Sequence, residues 1–219
     1  MKDKDFVEIE YVGKIKESGD IFDLTDEKLA KDKGIFNPQT IYGPITIVVG
    51  TKQVLAGLDT ALLEMNAGDK KNIVIEPKDG FGERNTTLLK IVPASQFKKQ
   101  NITPYQGQYI TFDQGLRGRV VSVSGGRVKL DFNHPLAGKV LEYELQVTKK
   151  VDATKDKVDA LVSFYLGALK SATTISIEGA EVKILIKKDT PINDAVKAKI
   201  AEDIKKYVAD IKEVVFEGS

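Results

Sequence analysis

Residues 45–62 read Ile45-Thr-Ile-Val-Val-Gly50-Thr-Lys-Gln-Val54-Leu55-Ala-Gly57-Leu58-Asp-Thr-Ala-Leu62. The first five form a short apolar, mostly β-branched run closed by a glycine, the pattern of a buried strand. The period then changes. Val54, Leu58, Ala61 and Leu62 recur at helical spacing, which predicts a short helix of about two to three turns. Outward from this core stretch, residues 6–15 alternate with period two as a half-buried strand. Gly19-Asp20 marks a turn, and Ile21-Phe22-Asp23 resumes an extended stretch. Residues 24–43 are polar, broken at Asn37-Pro38 and Gly43-Pro44, and read as a long loop with one helical turn. Gly68-Asp69 turns the chain into a further strand at 72–76.

The texture shifts after the glycine-bracketed aromatic of Asp79-Gly80-Phe81-Gly82. Within 85–132 there are prolines at 93 and 104 and a hairpin pattern, with Val121 and Val123 facing Val128 and Leu130 across Ser124-Gly125-Gly126. Asn133-His134-Pro135-Leu136-Ala137-Gly138 is a second punctuated loop, and 140–148 alternates again as a strand. The strands before 85 and after 133 have no core unless they pair with each other. Residues 85–132 are therefore expected to be inserted into a parent domain.

The tail has helical period first. Val158, Leu161, Val162, Tyr165, Leu166 and Leu169 line one face of an amphipathic helix. Ile175 and Ile177, then Val182, Ile184 and Ile186, alternate around Glu178-Gly179. Thr190-Pro191 is a helix-start signal for a second amphipathic helix along Val196, Ile200, Ile204, Tyr207, Val208 and Ile211. Val214-Val215-Phe216 closes with a strand, so the order is α-β-β-α-β. The fold class expected for the whole chain is α+β.

Composition narrows the chemistry. The 219 residues contain no cysteine and one histidine, which excludes thiol nucleophiles and disulfides and argues against a His-based metal site or triad. No apolar run exceeds three residues, so no membrane-spanning helix is expected. The N-terminus leads straight into a strand pattern without a signal-peptide h-region, and the expectation is a cytoplasmic protein. There is no Walker A pattern and no serine nucleophile elbow. His134, in a loop beside a proline, is expected to hydrogen-bond backbone rather than to act as an acid or base. Net charge is +1, but residues 84–132 hold 8 basic and 2 acidic side chains, +6, against −4 and −1 in the parent domain and tail. Such a segment suits an acidic partner, nucleic acid or ribosome, or is a solvated basic surface. Phe97, Tyr105, Tyr109 and Phe112 are not spaced as a stacking platform, so nucleic acid is not the expected partner.

Several motifs occur in a telling order: Glu10-Tyr11-Val-Gly13, Ile21-Phe22-Asp23, the 49–62 stretch, Gly68-Asp69 and Phe81-Gly82. Together they resemble an FKBP-type peptidyl-prolyl isomerase. The insertion after Phe81-Gly82 and the return through Asn133 to Lys139 resemble the SlyD branch, where an insert-in-flap chaperone domain replaces the flap tip. The tail resembles that of long-type archaeal members. The resemblance implies three parts: an isomerase domain at 1–84 and 133–150, an insert-in-flap domain at 85–132, and a C-terminal α+β domain at 151–219. It implies an antiparallel sheet wrapped around the short helix at 53–62. The proline pocket between them would have Tyr11, Asp23 and Phe81 as catalytic residues. Phe22, Ile45, Val54, Leu55, Leu58, His134, Leu136, Ala137 and Tyr143 would contact the substrate.

Three positions depart from the family pattern. Leu58 stands where many members have a tryptophan floor, Phe81 where a tyrosine hydroxyl often binds a ligand carbonyl, and Ile45 in place of a common aromatic wall. No cofactor or metal is implied. Partners implied are unfolded or partly folded polypeptides with Xaa-Pro bonds, a macrolide inhibitor, and a second copy of the chain through 151–219, the equal alternative being that the tail's helices simply cover their own sheet. The competing reading is a non-catalytic holdase, or an adaptor for ribosome or nucleic acid acting through the basic segment.

The side-chain inventory suits the isomerase chemistry. Rotation about a prolyl bond meets a barrier of about 18–20 kcal/mol set by amide resonance. The planar ground state is more charge-separated than the twisted transition state. An apolar pocket shaped for the twist favours the latter without nucleophile or metal. Each tenfold acceleration needs about 1.4 kcal/mol of differential binding.

Overall fold

The computed structural model describes residues 1–98, 101–112 and 115–218. Lys99, Gln100, Asp113 and Gln114 of the expected insert, and Ser219 of the tail, lie outside the described residues. The chain forms two compact units, one of Met1–Ile75 with the chain from Leu141 onward, the other of Glu76–Val140.

In the first unit β1 (Phe6–Ile15) is the central strand. β9 (Leu141–Lys150) runs antiparallel along it from Val7↔Lys150 to Ile15↔Leu141. β2 (Ile21–Leu24) and β3 (Ile45–Val48) pair with the two halves of its other edge, and β4 (Lys70–Ile75) lies outside β9. Period-two burial is clean in β9, where Leu141, Tyr143, Leu145 and Val147 are buried and the residues between them are not. The polar segment carries α1 (Glu27–Asp32), started by the Asp26 carboxylate accepting the Leu29 N–H at 3.0 Å.

The second helix, α2 (Ala56–Leu63), buries Leu58 and Leu62. It begins later than the expected 53, because Leu55 is its N-cap and the residues before it form a tied loop. Asp59, only 8% exposed, accepts the Gly50 N–H at 3.0 Å and the Lys52 N–H at 2.9 Å. Gly57 lets α2 close on β4, since a Cβ there would stand 2.8 Å from the Ile75 side chain.

The tail follows the expected order, with α4 (Thr154–Leu166), β10 (Thr173–Glu178), β11 (Glu181–Ile186), α5 (Asp194–Tyr207) and β12 (Glu213–Gly218). β10 is antiparallel to β11, and β12 is parallel to it. Two expectations about its helices need correction. The apolar stripe ends at Leu166, because Gly167 turns the chain at φ 52° into a 3-10 segment and leaves Leu169 exposed. The second helix starts not at Thr190-Pro191 but after Asn193, whose side-chain oxygen accepts the Val196 N–H at 2.8 Å. Val208 and Ile211 are buried beyond that helix rather than on it. The tail's core is not its own. Val158, Leu161, Val162, Ile184, Ile200 and Ile204 pack in one cluster with Phe6 of β1 and Val48 of β3.

The second unit holds β5 (Leu89–Pro93), α3 (Ala94–Lys98), β6 (Tyr109–Thr111), β7 (Arg117–Ser124) and β8 (Arg127–Asp131). The strands form an antiparallel sheet in the order β5-β8-β7-β6. Its core is Phe97, Ile110, Val120, Val128 and Leu130, with Phe112 and Phe132 against it. The β7–β8 hairpin turns on Gly125 and Gly126 at φ 56° and 71°, the left-handed pair that a two-residue turn requires. A bulge between Val120 and Ser122 shifts the expected register. Val120, not Val121, faces Leu130 and is buried, while Val123 opposite Val128 is exposed. The fold class is α+β, as expected. Among the described residues no helix is long and apolar enough to cross a membrane.

Candidate functional site

Strand pairing brings four of the sequence-derived residues together on the first unit. β1 carries Tyr11, β2 carries Phe22 and Asp23, and β9 carries Tyr143. The Tyr143 ring lies 5.7 Å from that of Tyr11 and 5.8 Å, edge-on, from that of Phe22. Such tilted and edge-to-face contacts suit the aromatic quadrupole. Gly13 makes room for them, because a Cβ at that position would lie 2.9 Å from the Tyr143 ring and 3.0 Å from that of Phe22. The Tyr11 hydroxyl donates to the Asp23 carboxylate at 2.9 Å. Burial, and after it the charge of Asp23, raises the Tyr11 phenol well above its ordinary value, and the same two causes raise Tyr143. Both therefore stay protonated, and the cluster presents aromatic surface with one carboxylate already engaged by a hydroxyl.

Ile45, Val54, Leu55 and Leu58 come from the β3–α2 segment of the same unit. Ile45 opposes Ile9 across the β1–β3 pair, Val54 and Leu55 stand half-buried ahead of α2, and Leu58 is 2% exposed within it. Phe81, His134, Leu136 and Ala137 belong to the second unit, which assembles them with one another. The Phe81 ring stacks on His134 at 4.4 Å and 6°. The His134 Nδ1 accepts the Leu136 N–H at 3.2 Å, and its carbonyl accepts the Ala137 N–H at 2.9 Å. His134 thus hydrogen-bonds backbone, as expected. Among the described residues no group of three or more His, Cys, Asp or Glu is placed to hold a metal ion.

Sequence reading missed two supports of this arrangement. Thr25, 5% exposed, accepts the Tyr11 N–H on its hydroxyl at 2.9 Å and donates to the Tyr11 carbonyl at 3.3 Å, fixing the backbone beneath the ring. Asp59 ties the loop that carries Val54. Both are polar residues buried among apolar ones, and the only sequence signal is their position beside the motifs.

Comparisons with known proteins agree with this architecture. The family model described as FKBP-type peptidyl-prolyl cis-trans isomerase matches residues 1–98. Those described as FKBP26, IF domain and FKBP26_C-terminal match 90–136 and 154–218. The short-type peptidyl-prolyl cis-trans isomerase of Methanocaldococcus jannaschii is 31% identical over 147 residues, covering 67% of this chain and 92% of that one. A probable FKBP-type 16 kDa peptidyl-prolyl cis-trans isomerase of Pseudomonas fluorescens is 34% identical over 135 residues, covering 60% and 79%. SlyD of Vibrio cholerae, also named an FKBP-type isomerase, is 28% identical over 144 residues, covering 65% and 72%. The chain belongs to the FKBP-type peptidyl-prolyl cis-trans isomerases, a family of isomerase enzymes, and carries that family's insert and C-terminal segments.

Proposed function

We propose that the protein accelerates cis–trans rotation of Xaa-Pro bonds in folding polypeptides through a desolvated apolar pocket, and that its insert holds those chains. In this reading Tyr11, Asp23 and Phe81 carry catalysis. Phe22, Ile45, Val54, Leu55, Leu58, His134, Leu136, Ala137 and Tyr143 contact the substrate. The observation that supports it is the Tyr11–Asp23 hydrogen bond at the rim of the packed Tyr11, Phe22 and Tyr143 rings. A wall of fixed rings excludes water from a prolyl ring and disfavours the charge-separated planar amide. Asp23, held in place by Tyr11, biases the field at the substrate carbonyl. Asp23→Leu and Phe81→Ala each lower kcat/KM for a short Xaa-Pro peptide by about ten-fold, the loss of about 1.4 kcal/mol of transition-state binding. Unchanged kcat/KM in both variants removes these residues from the mechanism. Asp23→Asn, which keeps the shape, separates the charge of Asp23 from its packing.

The proposed division of labour gives 1–84 and 133–150 to catalysis, 85–132 to holding unfolded chains, and 151–219 to pairing two copies. Ile91, Tyr105 and Leu116 are exposed in the insert, and such apolar surface suits non-specific capture of unfolded chains. Phe81, lacking a tyrosine hydroxyl, weakens macrolide binding more than catalysis. The proposed compartment is the cytoplasm, where a chain with no cysteine forgoes nothing. Sedimentation equilibrium near micromolar concentration tests the pairing: a dimer mass is expected, and a single-chain mass with no concentration dependence refutes it.

A further inference from the structure

A cleft of about 580 Å³ opens in the first unit where the free edge of β3 meets α4, a size typical of binding sites. Its apolar lining includes Ile41, Pro44, Val151, Ala160 and Phe164, with Ile45 and Ile47 of β3 beneath them. Ile41 and Phe164, 62% and 46% exposed, stand on its rim.

The floor of the cleft includes a strand edge. Among the described residues β3 pairs only with β1, so its far side is an edge. The ladder fixes which residues point outward. The Val49 N–H donates to Asp5 at 2.9 Å on the β1 side, so the alternating Ile47 and Ile45 also bond toward β1. Val48 and Thr46 then turn their backbone groups away from it. At Val48 the chain satisfies them itself: the N–H donates to Gln53 Oε1, and the carbonyl accepts from the Thr51 hydroxyl, both at 2.8 Å. At Thr46, which lines the cleft, none of the described residues does so. An outward N–H and C=O on one residue are what one rung of an added strand consumes.

Charge narrows the occupant. Of the charged groups lining the cleft, Glu8 is paired with Lys149 at 3.2 Å, and Asp159 is paired with Lys170. Asp156, exposed on the first turns of α4, has no ion-pair partner among the described residues. The cleft thus offers an apolar trough, one open backbone rung and one uncompensated negative charge.

We propose that this cleft is a second polypeptide site, sharing only Ile45 with the residues assigned to the proline pocket, which takes an extended, apolar segment of an unfolded chain carrying a lysine or arginine, added as a strand to the edge of β3. It is independent of prolyl chemistry. A chain seated there stays tethered whether or not it contains proline, which raises the local concentration of its other segments.

The test uses the full chain and a fluorescein-labelled, proline-free hexapeptide of alternating valine and lysine, with binding read by anisotropy. Thr46→Pro removes the outward N–H at a position where an edge strand tolerates proline. It is expected to weaken binding at least five-fold. Asp156→Lys, on an exposed side chain with no partner, is expected to weaken it several-fold. It should not weaken binding of the same peptide with glutamine replacing lysine, and it should leave turnover of a short Xaa-Pro peptide unchanged. An Xaa-Pro tetrapeptide is not expected to compete. Affinity unchanged in both variants, or full competition by the tetrapeptide, overturns the proposal. So does a concentration-dependent dimer mass that Asp156→Lys abolishes, since the occupant is then a second copy. Loss of isomerase activity with peptide binding intact tells against the proline pocket and leaves this site standing.

Discussion

In the first unit the rings of Tyr11, Phe22 and Tyr143 pack on one another and their polar tip is tied to Asp23, whereas in the second unit Ile91, Tyr105 and Leu116 stand more than half exposed. The insert's sheet also carries Arg119 opposite Asp131, Lys129 opposite Ile91 and Arg127 opposite Pro93. Aromatic residues serve both regions, but their supports differ. The first region spends a glycine, a buried threonine and strand pairing on holding three rings still. Fixed shape is what distinguishes a twisted amide from a planar one. The second spends its buried residues on a small core and leaves its apolar side chains adaptable, which suits many weakly held chains. Some basic residues there already have local partners: Arg84 pairs with Asp131, and Arg117 lies 4.5 Å over the Tyr109 ring. That favours a solvated surface over an acidic-partner site.

The comparison breaks most visibly if the insert is replaced. A short Gly-Ser turn in place of 85–132 is expected to leave turnover of a tetrapeptide largely intact and to cut activity on a refolding protein by about a hundred-fold, the scale of a lost tether. Equal losses on both substrates would show that the insert serves the pocket's structure rather than capture. A smaller effect sharpens the other side. Gly13→Ala forces a Cβ into the Tyr143 and Phe22 rings and is expected to cost about 1–3 kcal/mol of stability, with a parallel fall in kcat/KM. Chemical denaturation reads the first and a peptide assay the second. A variant as stable and active as wild type contradicts the claim that ring placement is tightly held.

How much of this was legible in the sequence depends on which physical link set each feature. The β9 alternation, the α2 spacing and the α-β-β-α-β tail are local periodicities, and the structure follows them. What escaped was set by single backbone conformations or by tertiary choice. Gly167 stops α4, and Asn193 rather than Thr190 caps α5. The bulge before Ser122 moves a valine across the sheet. The patterns mark β1 as half-buried and β3 as buried, but they do not reveal that Phe6 and Val48 are buried in the tail's core. Alternation reports that a face is apolar, not what covers it. At the site, motif order brought in Tyr11, Phe22, Asp23 and Tyr143, but Thr25 and Asp59 support backbone groups that no pattern announces.

The smallest expected effect lies at the base of the insert. Burial alone would raise the Asp131 carboxyl, but hydrogen bonds from Asn133 and the Arg84 guanidinium outweigh it and hold the group below its ordinary value of 3.8. A carboxyl lowered in the folded state contributes stability that is full above 3.8 and is lost as pH falls through the folded value. With Arg84 half exposed, the contribution is about 1 kcal/mol or less. Asp131→Asn is expected to flatten the acid limb of the insert's unfolding, followed by circular dichroism between about pH 5 and pH 2. An unchanged acid limb would show that the pair does not couple to folding.

The central claim is that the fixed aromatic cluster of the first unit belongs to a working prolyl isomerase. It is tested most directly by NMR exchange spectroscopy on a short Xaa-Pro peptide with and without the full-length protein. The account predicts that catalytic amounts of wild-type protein raise the cis–trans exchange rate, and that Asp23→Leu lowers the gain by about ten-fold. Exchange at the uncatalysed rate in the presence of folded wild-type protein would contradict it and leave a binding protein in its place.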